Sequence, residues 1–540
     1  MTGAFVKIGN LRMAIVVAAV LFGLNPVEPA ATILFPYREA QSDGAEARFE
    51  RGLQLAQAGE LPAAEQELRV AVKLRASDPE YLTSLATVLA IEKKIEESTV
   101  LFEKALKIRP SDWRSRRDLS ANLWQLRRYA EAKRHLKLVL QERPADAQAK
   151  LLLGLVSEKT GDDATAIAML QSIPDLAKSQ PEALVALAKS YYRSGQGVKA
   201  SDVLGALTNG PGGEQRSLLA AQVAEEAGDY VTAERLLLAI PADSSDSDQA
   251  RYRLAVVKFN SGRYEQSQAI VQELVRRGRK DGPTLRLSAW CYHKTNQEEQ
   301  AINTFREAVE LDPTDEKNFL DLGALLLEQR KFSAASELAG RTVGAFPKSA
   351  EALALLGSVE LARENFTDAV QTYSRSIELD PDNSEAIVGL AKAQAAAGWN
   401  DQARETLEKA IQRLPGRATF ELQLALLLLN DAADRDPLRQ ARAERLLHSA
   451  ARHDPNSSEA QYQLGNLALS RGQTRSAIDY LENAARMSSE SAKAHFALAR
   501  AYRRAGRTED AARETALYER FKKQSNAEPK SSPENLHPGE

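Results

Sequence analysis

The sequence predicts an all-α protein, an α-solenoid of about 14 stacked helix–turn–helix units. Three observations lead there. Helix endings nearly repeat at a fixed interval: AVELDP at 308–313 and SIELDP at 376–381 lie 68 residues apart, twice 34. Prolines keep the same period, with Pro313, Pro347, Pro381 and Pro415 each 34 residues apart and Pro110 and Pro144 sharing the spacing. Small residues recur at two fixed places inside every period.

The totals set the class. The chain has 540 residues, 43% hydrophobic and 27% charged, which is a globular composition. A formal charge of −3, from 71 basic and 74 acidic residues, predicts no general pull towards nucleic acid or anionic lipid. With one cysteine, Cys291, the chain has no intrachain disulfide and no thiolate metal cluster.

At the N-terminus, Lys7 and Arg12 precede an apolar run, Met13 to Leu24, followed by Asn25 and Pro26. Twelve helical residues span roughly 18 Å, short of a hydrocarbon core near 30 Å. A basic start with a short apolar core is read as an export signal (residues 1–31), with Ala30 and Ala31 near its cleavage site, or as a short uncleaved anchor. Residues 32–44 are then a linker. Cleavage implies export to the periplasm or outside the cell; retention implies inner-membrane anchoring.

The array occupies residues 45–525. Frames begin at 45, 79, 113, 147 and 181, continue after a one-residue deletion at 214, 248, 282, 316, 350, 384 and 418, and resume after a six-residue insertion at 458 and 492. Each frame carries two stretches with apolar residues at helical intervals, separated by a short polar turn such as SGRY at 261–264. Proline cannot continue a helix interior, so it marks the end of each frame. Asp, Asn and Ser close by accept backbone N–H bonds from the helix that follows, as in DPDNSEA at 380–386.

The eighth places are all small, from Gly52 and Ala86 to Gly465 and Ala499. The twentieth places, from Ala64 to Ala511, are alanine except for Ser98 and Ser267. Facing small residues let the two helices of a frame approach closely, and surrounding leucines and aromatics fill the remaining space. One hairpin cannot bury both faces, whereas a stack can.

These residues resemble the tetratricopeptide repeat family. Tyr292, Ala301, Phe305, Ala308 and Pro313 fall on its marked places in one frame, and Leu356, Gly357, Ala369, Tyr373 and Pro381 do so in another. The resemblance implies a right-handed superhelix whose first helices line an inner groove. It also implies a non-enzymatic scaffold, and relatives of this kind serve envelope assembly, secretion and polysaccharide export.

Departures from the pattern are expected to have structural effects. Arg51 replaces a leucine on the uncovered side of the first repeat. Pro174 and Pro241 shorten two second helices, so 170–250 is expected to be the least regular stretch. The insertion near 430–440 lengthens one inter-helix turn, with Pro437 opening the next helix. The last helix is expected to end in ERFKKQ, with 526–540 a polar, unpacked tail.

No motif for chemistry emerges. The six histidines, His135, His293, His448, His453, His495 and His537, are scattered and read as solvated surface. DPDNSEA lacks the glycine and late glutamate of a calcium loop. No cofactor, metal or catalytic residue is expected, and Cys291 reads as packing.

Function is therefore expected on the surface, at places two, five, nine, twelve and thirteen of each first helix. The candidate binding residues are Arg114, Arg117 and Trp124; Lys189, Tyr192 and Arg193; Tyr252 and Phe259; and Arg286, Trp290, His293 and Lys294. Aromatics beside basic groups suit proteins or peptides with acidic or aromatic-binding segments. Several of these aromatics equally suit filling between hairpins. Membrane contact is expected only through the N-terminal segment, if it is kept. An exported scaffold leads; a cytosolic or membrane-tethered docking regulator, a spacer with an empty groove, and an enzyme with an unrecognised site stand beside it.

Overall fold

The computed structural model describes residues 44–209, 212–430 and 437–527. The signal or anchor, the linker up to residue 43, residues 431–436 of the insertion and the tail from 528 lie outside the described residues. Among the described residues there are 29 helices and no strand, so the fold class is all-α. The chain divides into two compact units between Arg277 and Gly278.

The first unit holds seven hairpins. The first three are Gly44–Gln57 with Leu61–Leu74, Pro79–Ile91 with Ile95–Ile108, and Trp113–Gln125 with Tyr129–Glu142. The fourth joins Ala147–Lys159 to Asp163–Gln171 and the short Pro174–Ser179. Pro181–Arg193 with Gly197–Leu207, Gly213–Glu226 with Tyr230–Leu238, and Ser247–Asn260 with Tyr264–Arg276 complete it.

The second unit holds seven more. Its first four are Gly282–Lys294 with Glu298–Leu311, Glu316–Glu328 with Phe332–Ala345, Ala350–Ala362 with Phe366–Leu379, and Ser384–Ala396 with Asn400–Arg413. Ala418–Asn430 with Pro437–His453, Ser458–Ser470 with Thr474–Met487, and Ala492–Arg504 with Thr508–Ala527 follow.

Local chemistry sets these boundaries. Asp78, Asp112, Asp146, Ser349 and Asn383 each accept N–H bonds at the start of a first helix; Asn383 takes the amide of Ala386 at 2.9 Å. DPDNSEA is thus a helix stop and a helix cap. Wherever the fifteenth place is among the described residues, the first helix ends there on a left-handed residue. Glycine supplies it in hairpins such as the seventh (Gly262, φ 77°), but Lys93, Arg127, Asn296, Arg330 and Glu364 adopt it without that freedom.

Every eighth- and twentieth-place residue is buried, and the two helices cross there. Ser98 Oγ donates to the carbonyl of Ala86 at 2.6 Å and Ser267 Oγ to that of Ala255 at 2.7 Å, each linking the twentieth place to the eighth. The expected small-on-small contact is incomplete as a description. A Cβ on Gly52 would lie 3.3 Å from the Ala64 carbonyl but 2.7 Å from the Leu68 side chain, and one on Gly154 would lie 2.6 Å from Leu170. Helical side chains lean towards the N-terminus, so the spot over the twentieth-place alanine is covered by the residue one turn later.

Within each unit, most successive first helices pack on one another, while second helices pack mainly on the first helices flanking them. The closer-packed layer lies on the inside of a bend, which makes the first helices the inner face of each stack. The second helices Asp163–Gln171 and Tyr230–Leu238 have nine residues each against fourteen in Leu61–Leu74, and both stop before a proline. Pro437 begins its helix. The final helix runs to Ala527, so Asn526 and Ala527, expected in the tail, are helical. Cys291 is fully buried.

Candidate functional site

In the first unit, most of the inner-face polar groups proposed from sequence bind the neighbouring hairpin. Arg117 contacts Asp118 at 3.2 Å and, from the next hairpin, Asp146 at 3.4 Å. Burial pushes the Asp118 carboxyl up despite that guanidinium. Lys189 Nζ lies 2.8 Å from Glu226, whose carboxyl that hydrogen bond holds below its ordinary range. The Tyr192 hydroxyl donates to Asp229 at 2.8 Å, and its own pKa is raised by burial and by that carboxylate. Arg193 reaches back to Asp163 at 2.7 Å and Glu158 at 3.2 Å. The expected free cations are therefore largely neutralised from within, and their charges join consecutive hairpins.

Other members of the set are differently placed. Arg114 is exposed and lies over the Trp113 ring at 5.0 Å, which Arg117 and Arg143 also approach. Trp124 is half-buried against the core, and its indole N–H has no hydrogen-bond partner among the described residues. Tyr252 and Phe259 are half-buried, with Phe259 edge-on to Tyr264 at 5.2 Å.

In the second unit, Arg286 pairs with Asp315, donates to Asn318 Oδ1 at 3.0 Å and lies 3.5 Å from Asp321. Trp290 stands edge-on to Phe305 at 5.3 Å, so part of its ring fills the gap between helices. Lys294 is exposed. His293 is only 8% exposed, with Nδ1 3.0 Å from Glu298 and Nε2 3.5 Å from Glu328 of the next hairpin. His495 is buried likewise, 2.6 Å from Glu514. These two correct the surface reading of the histidines: a glutamate from a neighbouring helix satisfies each ring where solvent does not reach. Among the described residues, no group of three His, Cys, Asp or Glu side chains could hold a metal ion.

The second unit also carries an inner-face strip that the search for aromatics and cations passed over. At places five, nine and twelve of its second to fifth first helices stand Leu320, Leu327, Leu361, Val388, Leu422, Leu426 and Leu429, all half-buried. Ala324, Ser358 and Ala395 lie between them and leave room above the backbone. The signal was present as leucine at inward places, but in a helix rich in leucine it reads as core. Chemically the strip offers apolar area interrupted by one exposed charge, Lys392 at the ninth place of Ser384–Ala396, suited to the apolar face of a helix or of an extended segment.

Three family models described as tetratricopeptide repeat match the chain. One matches residues 123–183, 224–291 and 360–427, a second 320–384 and 462–527, and a third 287–315. No curated protein matches the sequence significantly. Among solved structures, yeast Tom70 is similar at 16% identity, covering 89% of this chain and 96% of its own, with a TM-score of 0.41. The Cut9–Hcn1 hetero-tetramer of the APC/C is similar at 17% identity over 84% of this chain and 89% of that one, with a TM-score of 0.35. A tetratricopeptide repeat protein from Parabacteroides merdae covers 47% of this chain and 98% of its own at 17% identity, with a TM-score of 0.40.

Proposed function

This chain belongs to the tetratricopeptide repeat family, and from that premise we propose that it is a non-enzymatic scaffold that holds partner proteins on the inner face of its hairpin stacks. The observation that carries the reading is the half-buried apolar strip from Leu320 to Leu429. Side chains that are partly covered by their own hairpins and still open on the inner side gain free energy when a partner's apolar face completes their burial, about 25 cal/mol per Å² removed from water. The polar inner face of the first unit has the complementary task of locking successive hairpins together through pairs such as Lys189–Glu226 and Arg193–Asp163. Arg114, Trp124, Tyr252 and Phe259 remain its candidates for direct contact.

Export belongs to the same proposal, supported by the basic start and the apolar run Met13 to Leu24. The mass of the mature N-terminus tests it: loss of about thirty residues fits a cleaved signal, whereas an intact start fits a membrane-tethered regulator.

Cross-linking in the native cell followed by partner identification tests the scaffold. A Leu320→Gln/Leu361→Gln/Leu426→Gln variant with an unchanged circular dichroism spectrum is expected to lose its cross-linked partners. A Trp124→Ala/Tyr252→Ala variant reports on the first unit. Retention of every partner by both variants would leave a spacer with an empty groove.

A further inference from the structure

The outward stripe of the first three second helices differs from its counterparts further along. At places 22, 25, 26, 29 and 30 it presents Val70 and Leu74, then Val100 and Ile108, then Leu138, between 39% (Val70) and 59% (Leu74) exposed. Interleaved with them are Lys73, Lys104, Lys107 and Lys137, all exposed and none ion-paired with a carboxylate among the described residues. Arg134 stands beside them, 3.9 Å from Glu131. Residues four apart and three apart share a helix face, so Lys73 flanks Val70, Lys104 flanks Val100 and Ile108, and Arg134 flanks Leu138 on the same stripe. The carboxylates on the stripe are Glu103, 3.5 Å from Arg128, and Glu142. At the same places the eighth, tenth and eleventh hairpins offset basic groups with acidic ones, Arg306 with Glu307 and Glu310, Arg375 with Glu378, and Lys409 and Arg413 with Glu405 and Glu408, so no net positive charge is left there. The whole-chain charge of −3 averages over this contrast.

We propose that this outward face of the first three hairpins is a peripheral docking surface for an anionic lipid bilayer. Three features favour a bilayer over a protein. The exposed apolar groups are aliphatic and separated by lysines, the pattern of a surface that dips shallowly among headgroups. Lysine is depleted from protein interfaces, whose anchors are Trp, Tyr and Arg, yet each lysine near an anionic leaflet adds binding. The apolar run ending at Leu24 lies 20 residues before Gly44. Where that run sits in a membrane, a linker of this length keeps the first hairpin within about 70 Å of it. The inference extends membrane contact beyond the N-terminal segment and does not depend on which protein the inner face takes.

The test floats the full chain with phosphatidylcholine vesicles, with and without phosphatidylglycerol, at low and high salt. Lys7 and Arg12 beside the apolar run also favour anionic vesicles, so the difference in that preference between wild type and the four-lysine variant isolates the charged face. Wild type is expected to favour the anionic vesicles, and to lose that preference at high salt. Lys73→Glu/Lys104→Glu/Lys107→Glu/Lys137→Glu, all at exposed positions, should reduce it by about tenfold or more. Leu74→Ser/Ile108→Ser/Leu138→Ser should weaken binding while keeping its salt dependence. Equal binding of wild type to both vesicle kinds overturns the proposal, as does a four-lysine variant that binds like wild type. If anionic vesicles give no preference but that variant loses a cross-linked acidic protein, the face belongs to that protein and the lipid reading falls.

Discussion

Gly389 lies against the ring of Tyr373, which belongs to the hairpin before it: a Cβ at 389 would come within 2.7 Å of the tyrosine Oη. Tyr373 stands where Leu68, Leu136, Leu170 and Leu481 stand in other hairpins, buried one turn after the twentieth-place alanine. Its extra length runs past Gly357 to Gly389 of the next repeat, while its hydroxyl lies 2.8 Å from Ser358 Oγ of its own hairpin, and burial pushes its pKa up to about 12. One hairpin earlier the sizes reverse. Ala339 holds the tyrosine's place, and Leu355 of the following hairpin fills the space, 2.6 Å from where a Gly323 Cβ would be. Volume is conserved between neighbours and not within each repeat.

Gly389→Ala is therefore expected to destabilise the protein by about 1–3 kcal/mol, because the methyl and the phenol compete for one space. Tyr373→Leu alone leaves a void, and the double variant should cost less than the sum of the two. Urea unfolding of the four proteins measures the coupling. Strict additivity would mean that the two residues do not compete.

The fifteenth place makes a second prediction. Lys93 (φ 63°) and Arg127 (φ 58°) adopt a backbone that L side chains resist. Lys93→Gly and Arg127→Gly should each stabilise by about 0.5–1 kcal/mol, the relief of left-handed strain exceeding the added freedom of the unfolded chain. Gly262→Ala, with nothing near its Cβ, should act in the opposite sense by about 1 kcal/mol. Thermal denaturation reads both signs, and a destabilised Lys93→Gly variant would refute the strain argument.

A third prediction concerns acid. Burial alone would raise the Glu65 carboxyl, but hydrogen bonds from Lys94 and Arg69 outweigh it and hold the group at about 2, down from 4.5. A folded value below the unfolded one contributes stability that is fully present above pH 4.5 and is lost as pH falls through 2. Carbon NMR of the Glu65 carboxyl should show the low midpoint in wild type. In Lys94→Met it should rise by about one unit or more, and the variant's loss of stability should shrink on acidification. An unmoved midpoint would remove Lys94 as a cause.

Much of the fold was legible because it repeats. The proline period, the caps in DPDNSEA and the small residues at two places are local signals, each tied to one helix end or one crossing. Proline predicted the short helices before Pro174 and Pro241 for the same reason. The candidate site was less legible. Arg193 and Glu158 are 35 residues apart, Lys189 and Glu226 are 37 apart, and side chains of that length reach forward or back a whole repeat. A list of inward basic residues therefore overcounts free charge.

From its own order of residues the chain determined that it would be a stack of helical hairpins, where each hairpin begins and ends, and which places are too small to be enlarged, because all of these depend on neighbours within one repeat. Only the tertiary structure decided which charges cancel across hairpins, that His293 and His495 are buried against glutamates, and how Tyr373 and Gly389 share one volume. Those outcomes depend on distances between residues of different helices, and these exist only once the hairpins have stacked.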